Sequence, residues 1–150
     1  MAQTESRRPT LFLKLGNPIM KFLVGHNIGP MSNVLMVIQH TGRKTGREYS
    51  TPIGYARDGD SIVAFTLGGS QWYRNIQTNP EVTLRIKGKP LRARAELINE
   101  PDDVARVLDI YKRDQPDNYQ RFFGVPLDMP SAEAARSPGL RARYVRFHPI

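Results

Sequence analysis

Cysteine is absent from this 150-residue chain. Its absence excludes disulfide bonds, thiolate catalysis and cysteine metal sites. No apolar run approaches the roughly 20 residues that a membrane-spanning helix needs. The basic and apolar opening over residues 7–30 resembles a signal peptide, but Lys14 and Lys21 interrupt it, Pro18 breaks it and no small-residue cleavage site follows. We therefore expect a cytoplasmic protein, with peripheral contact at the inner face of the membrane as the alternative.

Motifs for hydrolysis and metal binding are also missing. Ser70 lies in GGSQW, where a nucleophile elbow would require glycine in place of Trp72. His26, His40 and His148 stand alone, without a histidine or carboxylate at metal-ligand spacing. We interpret them as surface or strand-end residues and predict no metal site.

Positive charge, in contrast, is in excess. The chain has 22 Lys and Arg against 14 Asp and Glu, a formal net charge of +8. Such an excess favours an anionic partner: nucleic acid, an acidic membrane surface or a polyanionic small molecule. The length suits one compact domain, and no internal repeat or linker marks a second. We predict a single domain over residues 1–150, with residues 1–30 as an N-terminal arm.

Apolar and alternating runs predict strands along most of the chain, and turn signals separate them. The predicted strands are Asn33–His40, Glu48–Arg57, Ser61–Leu67, Val82–Lys87, Leu91–Ile98 and Arg141–His148. Six strands with few helices predict a mainly β domain built as an antiparallel barrel.

Three segments are predicted to be helical. Leu11–Leu23 has apolar residues at spacings of three and four and is expected to pack on the domain, with a lid or a membrane-surface contact as the alternative. A short helix is predicted from about Gln71 to Thr78, with Ser70 as its N-cap and Asn79-Pro80 as its end. Pro101 and the acidic residues after it begin a helix that reaches about Lys112. The segment around Tyr119 is predicted to be irregular.

The sequence HTGRKTGREYSTP, from residue 40 to residue 52, places a basic glycine turn between two predicted strands. Its order and context do not match a Walker P-loop. Threonine hydroxyls, glycine N–H groups and the cations Arg43, Lys44 and Arg47 instead suit an anion-binding hairpin, with a solvated basic turn as the alternative. We predict no nucleic-acid partner, because aromatic residues do not interleave with the basic ones.

These motifs occur within a longer stretch that resembles a known family. HTGRKTGREYSTPIGYARDGDSIVAFTLGG, continuing as SQWYRNIQTNPEVTLRIKGKPLRARAELI, is similar to the deazaflavin-dependent nitroreductases and quinone reductases, enzymes of split-barrel fold that use coenzyme F420. The resemblance rests on the order of TGRKTG, the DG hairpin, Gly-Gly, WYRN and NPEV over roughly Val34 to Ile98. It implies a split antiparallel β-barrel of about six strands with flanking helices (α+β), and F420 as cofactor.

The resemblance also implies a cofactor site along these motifs. The TGRK-type loop would grip the phosphate and glutamyl tail, while the next strand, the Gly-Gly segment and the short helix would border the deazaflavin. The candidate cofactor-binding residues are Arg43, Lys44, Thr45, Arg47, Thr51, Pro52, Thr66, Gly68, Gly69, Trp72, Tyr73 and Asn75.

The other reactant would be a small-molecule hydride acceptor, such as a quinone or a nitroaromatic compound. A hydride donor must be placed against an electron-poor acceptor with water excluded. Tyr111 and Tyr119 are the candidate catalytic residues on the acceptor side, because a tyrosine hydroxyl can polarise an acceptor oxygen. Tyr55 is a third candidate, and packing is the alternative role for all three.

Two other classes of function stay open. One is a split-barrel protein that holds FMN instead of F420. The other is a non-catalytic cofactor carrier or a basic membrane-surface module. A homodimer is a further expectation, because relatives of split-barrel fold often form dimers.

Overall fold

A computed structural model describes residues 34–150 of the chain. The predicted helix Leu11–Leu23 and the predicted arm of residues 1–30 lie outside these residues. The strands are β1 (Leu35–Thr41), β2 (Glu48–Gly54), β3 (Ala56–Asp58), β4 (Ser61–Thr66), β5 (Glu81–Ile86), β6 (Lys89–Ile98) and β7 (Arg143–Pro149). The helices are α1 (Gln71–Thr78), α2 (Pro101–Asp114), α3 (Pro116–Phe123) and α4 (Ser131–Ala134).

The strands form one antiparallel sheet in the order β2-β1-β5-β6-β7-β4-β3. Its first and last strands, β2 and β3, are consecutive in the chain, with only Tyr55 between them. The sheet therefore has to curl until its two edges approach each other, as strands do when a barrel closes. The predicted antiparallel split barrel with flanking helices is confirmed.

Three elements differ from the sequence-based prediction, one of them the short helix α4, which was not expected. The strand expected over Glu48–Arg57 is divided at Tyr55, so the sheet has seven strands within residues 34–150. The Tyr55 side chain is buried among the residues of the barrel interior, and the chain turns a corner of the barrel there. The segment expected to be irregular is helix α3, which has a proline in its first turn and ends at Gly124 with φ 74°. Both features are typical helix boundaries.

The sheet separates two apolar clusters. Strand β7 shows this most clearly, because Val145 and Phe147 belong to the cluster inside the barrel and Tyr144 belongs to the cluster under the helices. Such alternation follows from the two-residue period of a strand. Helices α2 and α3 therefore cover the outer face of the sheet.

An ion-pair network joins α2 to the barrel. The side chain of Arg146 on β7 is 11% exposed and bonds both Asp103 on α2 and Asp58 on β3. Arg106 on α2 donates two further hydrogen bonds to the Asp58 carboxylate. The hydrogen bonds from Arg106, followed by those from Arg146, hold the pKa of Asp58 below its ordinary value. The network ties the short edge strand β3 to helix α2 and to strand β7.

Within residues 34–150, no helix has the length and apolar character needed to cross a membrane.

Candidate functional site

The loop between β1 and β2 closes on itself through hydrogen bonds. The N–H of Gly42 donates to the carbonyl oxygen of Arg47 at 2.7 Å, and the N–H of Gly46 donates to the carbonyl oxygen of Gly42 at 3.1 Å. Gly46 has φ +73°, a conformation that favours glycine. The hydroxyl of Thr45 accepts from the Arg47 N–H. Thr45 therefore stabilises the loop itself.

Helix α1 lies against this loop and is bonded to it by Arg43. The backbone N–H of Arg43 donates to Asn75 Oδ1 at 3.1 Å. Its Nη1 donates to the same oxygen at 2.8 Å and to Gln71 Oε1 at 2.9 Å. We call the β1–β2 loop together with helix α1 the loop–helix unit. Part of the Arg43 guanidinium is thus committed to holding the unit together, which the sequence did not indicate.

The other two cations of the loop have different surroundings from Arg43. Lys44 and Arg47 are exposed, and no acidic side chain within residues 34–150 forms an ion pair with either of them. Their charges are available to an anionic ligand. Unlike Arg43, they are not engaged in holding α1.

His40 lies beneath the loop. It is 2% exposed, its Nδ1 lies 3.0 Å from Asn75 Nδ2, and its Nε2 lies 3.1 Å from Thr51 Oγ1. The ring of Tyr49 stacks on it, with ring centroids 5.8 Å apart. Burial lowers the pKa of His40 to about 4, so the ring is neutral near pH 7. The sequence placed His40 at the end of a strand but gave no sign of this buried contact, which depends on how the barrel brings α1 over β1.

The Gly-Gly segment leads from β4 into the N-terminus of α1. Gly68 and Gly69 have φ +126° and +68°, and a Cβ at Gly68 would meet nothing within 4 Å, so conformation and not crowding favours glycine there. The hydroxyls of Thr66 and Ser70 bond each other. Within residues 34–150, no side chain makes a capping hydrogen bond to α1, not even that of Ser70, which occupies the expected N-cap position. The first N–H groups of α1 therefore provide a positive helix end beside the loop.

The aromatic pair at the start of α1 has two different environments. Trp72 is 4% exposed and packs inside the barrel against Phe147, with ring centroids 6.4 Å apart. Tyr73 is half-buried and keeps some exposed surface. On β2, Thr51 and Pro52 are also half-buried. Of this aromatic pair, Tyr73 is the side chain that a surface ligand can touch, and Trp72 anchors the helix.

Tyr111 and Tyr119 lie in the cluster under the helices, apart from the barrel cluster that contains Trp72. Both are fully buried, and neither hydroxyl has a hydrogen-bond partner among residues 34–150. Burial raises the pKa of both hydroxyls, so they are protonated donors. The structure therefore does not bring the two candidate tyrosines into the loop–helix unit. Tyr55, the third candidate, is buried in the barrel interior.

A polar cleft of about 470 Å³ opens beside the base of the loop. Its charges largely balance, because Arg92 and Arg94 both bond Glu81 and because Glu48 adds a further negative charge. This balance gives the cleft no strong preference for anions. The excess positive charge near this cleft comes from Lys44 and Arg47 on the loop.

Residues 34–150 contain no group of three or more His, Cys, Asp or Glu side chains that could hold a metal ion.

Comparison with known sequences gives one family. A family model described as F420H(2)-dependent quinone reductase matches residues 20–129. The F420H(2)-dependent quinone reductase Rv1261c of Mycobacterium tuberculosis is 30% identical over 105 residues, covering 66% of this chain and 70% of that protein. The residues matched by the family model include the β1–β2 loop and helix α1. Both contain candidate cofactor-binding residues of the sequence analysis.

Solved structures of the same fold are similar at lower identity. The structure of an F420-H2 dependent reductase, FDR-A, has a TM-score of 0.54 and 17% identity, covering 75% of this chain and 92% of that one. A structure described as a domain-swapped dimer has a TM-score of 0.56 and 15% identity, covering 93% of this chain and 99% of that one. At these identities, the likeness shows the fold alone.

Proposed function

Because the chain belongs to the F420H(2)-dependent quinone reductase family, we propose that it transfers a hydride from reduced F420 to a quinone or a nitroaromatic acceptor. The observation that carries the proposal is the loop–helix unit, which presents two cations without an acidic partner in residues 34–150 beside a helix N-terminus that no side chain of those residues caps. The family makes the protein an oxidoreductase. The acceptor and the roles of individual residues are our proposals.

The charges of the loop fit an acidic tail. Lys44 and Arg47 would bind the phosphate and carboxylate groups of F420, since charge-assisted hydrogen bonds are the stronger kind. The first N–H groups of α1 would add a neutral but positively polarised donor set. Arg43 keeps some of its donors for the ligand, while its Nη1 holds the unit in place.

The deazaflavin ring would lie along the surface formed by Thr51, Pro52, Tyr73 and the segment from Thr66 to Gly69. Gly68 has no neighbour within 4 Å of a Cβ position, so a flat ring can approach its backbone closely. When bound, the reduced deazaflavin supplies the hydride. The residues of the chain would bind and orient it and would exclude water from one of its faces.

Tyr111 and Tyr119 remain our candidates for the acceptor side. Each hydroxyl is a buried donor without a partner in the described part of the chain, and a carbonyl or nitro oxygen is the kind of acceptor that would satisfy it. Replacing each by Phe removes only that donor. A loss of kcat with unchanged cofactor affinity would support the role, whereas unchanged kcat would assign both residues to packing.

We also propose an oligomeric state and a cellular location for the protein. A solved structure of the same fold is described as a domain-swapped dimer, and we infer that this chain also forms a homodimer. We propose a cytoplasmic location. The expected membrane contact falls on the N-terminal helix, outside the described residues, and remains a prediction.

Hydride transfer is tested by mixing the protein with reduced F420 and following its oxidation after menadione or a nitroaromatic compound is added. Oxidation that depends on the protein and on the acceptor is expected. Reduced FMN, tested in parallel, should not replace F420. Binding of F420 without oxidation in the presence of any acceptor would instead identify a cofactor carrier.

A further inference from the structure

A chain of hydrogen bonds, buried at its centre, runs beneath the loop from Arg43 through Asn75 and His40 to Thr51. Asn75 and His40 are 3% and 2% exposed. The ring of Tyr49 stacks on the histidine ring. Water therefore has little access to the bond between Asn75 and His40, and the buried polar atoms of these two side chains need protein partners.

The direction of every bond in this chain is set by Arg43. Its backbone N–H and its guanidinium can only donate, so the Asn75 atom that faces them must be the carbonyl oxygen Oδ1. The amide group Nδ2 then faces His40, and Nδ2 can only donate. Nδ1 of His40 must consequently be the unprotonated acceptor, which leaves the proton on Nε2 to be donated to Thr51 Oγ1.

We propose that His40 is a positioning residue for the cofactor loop, because its Nδ1 holds the Asn75 amide in the orientation that lets Oδ1 bind Arg43. A reversed amide would turn Nδ2 toward the two donors of Arg43 and would leave them unsatisfied. The consequence for cofactor binding rests on the proposed function, whereas the direction of the bonds does not.

The first test is the tautomer of His40 in the wild-type protein without ligand, from 15N chemical shifts of the two ring nitrogens near pH 7. Exposed His148 provides a reference signal. The expected state of His40 is neutral with the proton on Nε2. A proton on Nδ1, in a neutral or a doubly protonated ring, would overturn the inference whatever the protein binds.

The second test compares His40→Gln with His40→Asn. The amide of Asn reaches the position of Nδ1 and can still accept from Asn75, whereas the amide of Gln reaches the position of Nε2. The Gln variant is expected to raise the Kd and the KM for F420 by about five- to tenfold, as for one lost hydrogen bond, with kcat unchanged at saturating cofactor. The Asn variant should stay within about twofold of wild type, because it keeps that bond.

The outcomes separate the inference from the proposed function. Equal losses of F420 affinity in the Gln and Asn variants, or a loss in kcat alone, would mean that His40 does not act through Asn75. A wild-type protein that binds no F420 would overturn the proposed function, and the tautomer would then decide the inference alone. The tautomer also decides it if the Gln variant does not fold.

Discussion

Arg43 and Asn75 are separated by 32 positions in the sequence, yet two donors of Arg43 bond the single oxygen Oδ1 of Asn75. This pair joins a hairpin loop to a helix that is separated from it in the chain by the three strands β2, β3 and β4. A ligand that binds the loop therefore meets a surface whose geometry is already set by α1. Such preorganisation reduces the entropy that binding must overcome.

The first prediction concerns Lys44, whose charge has no acidic partner in the described part of the chain. Lys44→Ala should raise the Kd for F420 between ten- and a hundredfold, since a hydrogen bond to a charged group contributes roughly 1.5–3 kcal/mol. Added salt should reduce the difference in Kd between Lys44→Ala and the wild type. Lys89→Ala is the matched control, because Lys89 is also exposed but lies on the β5–β6 hairpin. Equal effects of the two variants would show that only net charge matters.

The second prediction concerns Gly42, where a side chain has no room. A Cβ there would lie 2.8 Å from a ring atom of Tyr49 and 3.0 Å from the Thr45 hydroxyl. Gly42→Ala should lower the free energy of unfolding by about 1–3 kcal/mol, as overpacking does, and should weaken F420 binding. Adding Tyr49→Ala should restore part of the stability. Gly54→Ala, whose Cβ would meet its nearest atom at 3.7 Å, should cause little change in denaturant unfolding.

The third prediction is a pH dependence that arises from His40. Its pKa is about 4 in the folded protein and 6.5 ordinarily, so between these values the unfolded chain binds more protons. The free energy of unfolding should therefore fall as the pH is lowered from 6.5 to about 4, by roughly 3 kcal/mol in total. His40→Asn should remove this slope and His148→Asn should keep it. A wild-type protein with no such slope would contradict the burial of a neutral His40.

The fourth prediction concerns Asp58, whose carboxylate is held by Arg106 and Arg146. Asp58→Asn should lower the free energy of unfolding at pH 7 by about 2–4 kcal/mol, because Arg146 loses a partner in a buried position. The pKa of Asp58 is depressed in the folded state, so its contribution is complete above its ordinary pKa of 3.8 and is lost as the pH falls through the lower, folded value. The difference in unfolding free energy between Asp58→Asn and the wild type should therefore disappear at a pH below the folded-state pKa of Asp58.

Asp60→Asn is the control for this measurement. Asp60 lies in the turn that follows Asp58, is exposed and forms no ion pair within residues 34–150. The Asp60→Asn substitution should leave the unfolding free energy almost unchanged at every pH. A similar loss in both variants would assign the effect to the turn and not to the network.

The sequence predicted the strand pattern and the short helix well, because both depend on local features. Alternation on β5 and the Ser70–Asn79 boundary signals act within a few residues of each other. The sequence did not predict the division of the strand at Tyr55. That corner is needed only because the two edges of the sheet have to meet, and no local signal encodes it.

The ion-pair network and the buried histidine were missed for a related reason. Asp58 and Arg146 are 88 positions apart, and His40 and Asn75 are 35 apart. Their contacts exist only after the barrel has closed. The basic loop was found because its charges and glycines are adjacent in the chain. The sequence could not show that Arg43 bonds α1, whereas Lys44 and Arg47 form no ion pair with any of the residues that the structure describes.

The central claim is that the loop binds the acidic tail of F420. The most direct measurement is the Kd of the wild-type protein for F420, for the same deazaflavin truncated before its phosphate, and for FMN, each followed by the absorbance or fluorescence of the ligand. F420 should bind most tightly, and the truncated compound should bind at least about tenfold more weakly, as the loss of one charge-assisted bond predicts. Equal affinity for F420 and the truncated compound would contradict the claim, because the tail would then contribute nothing to binding.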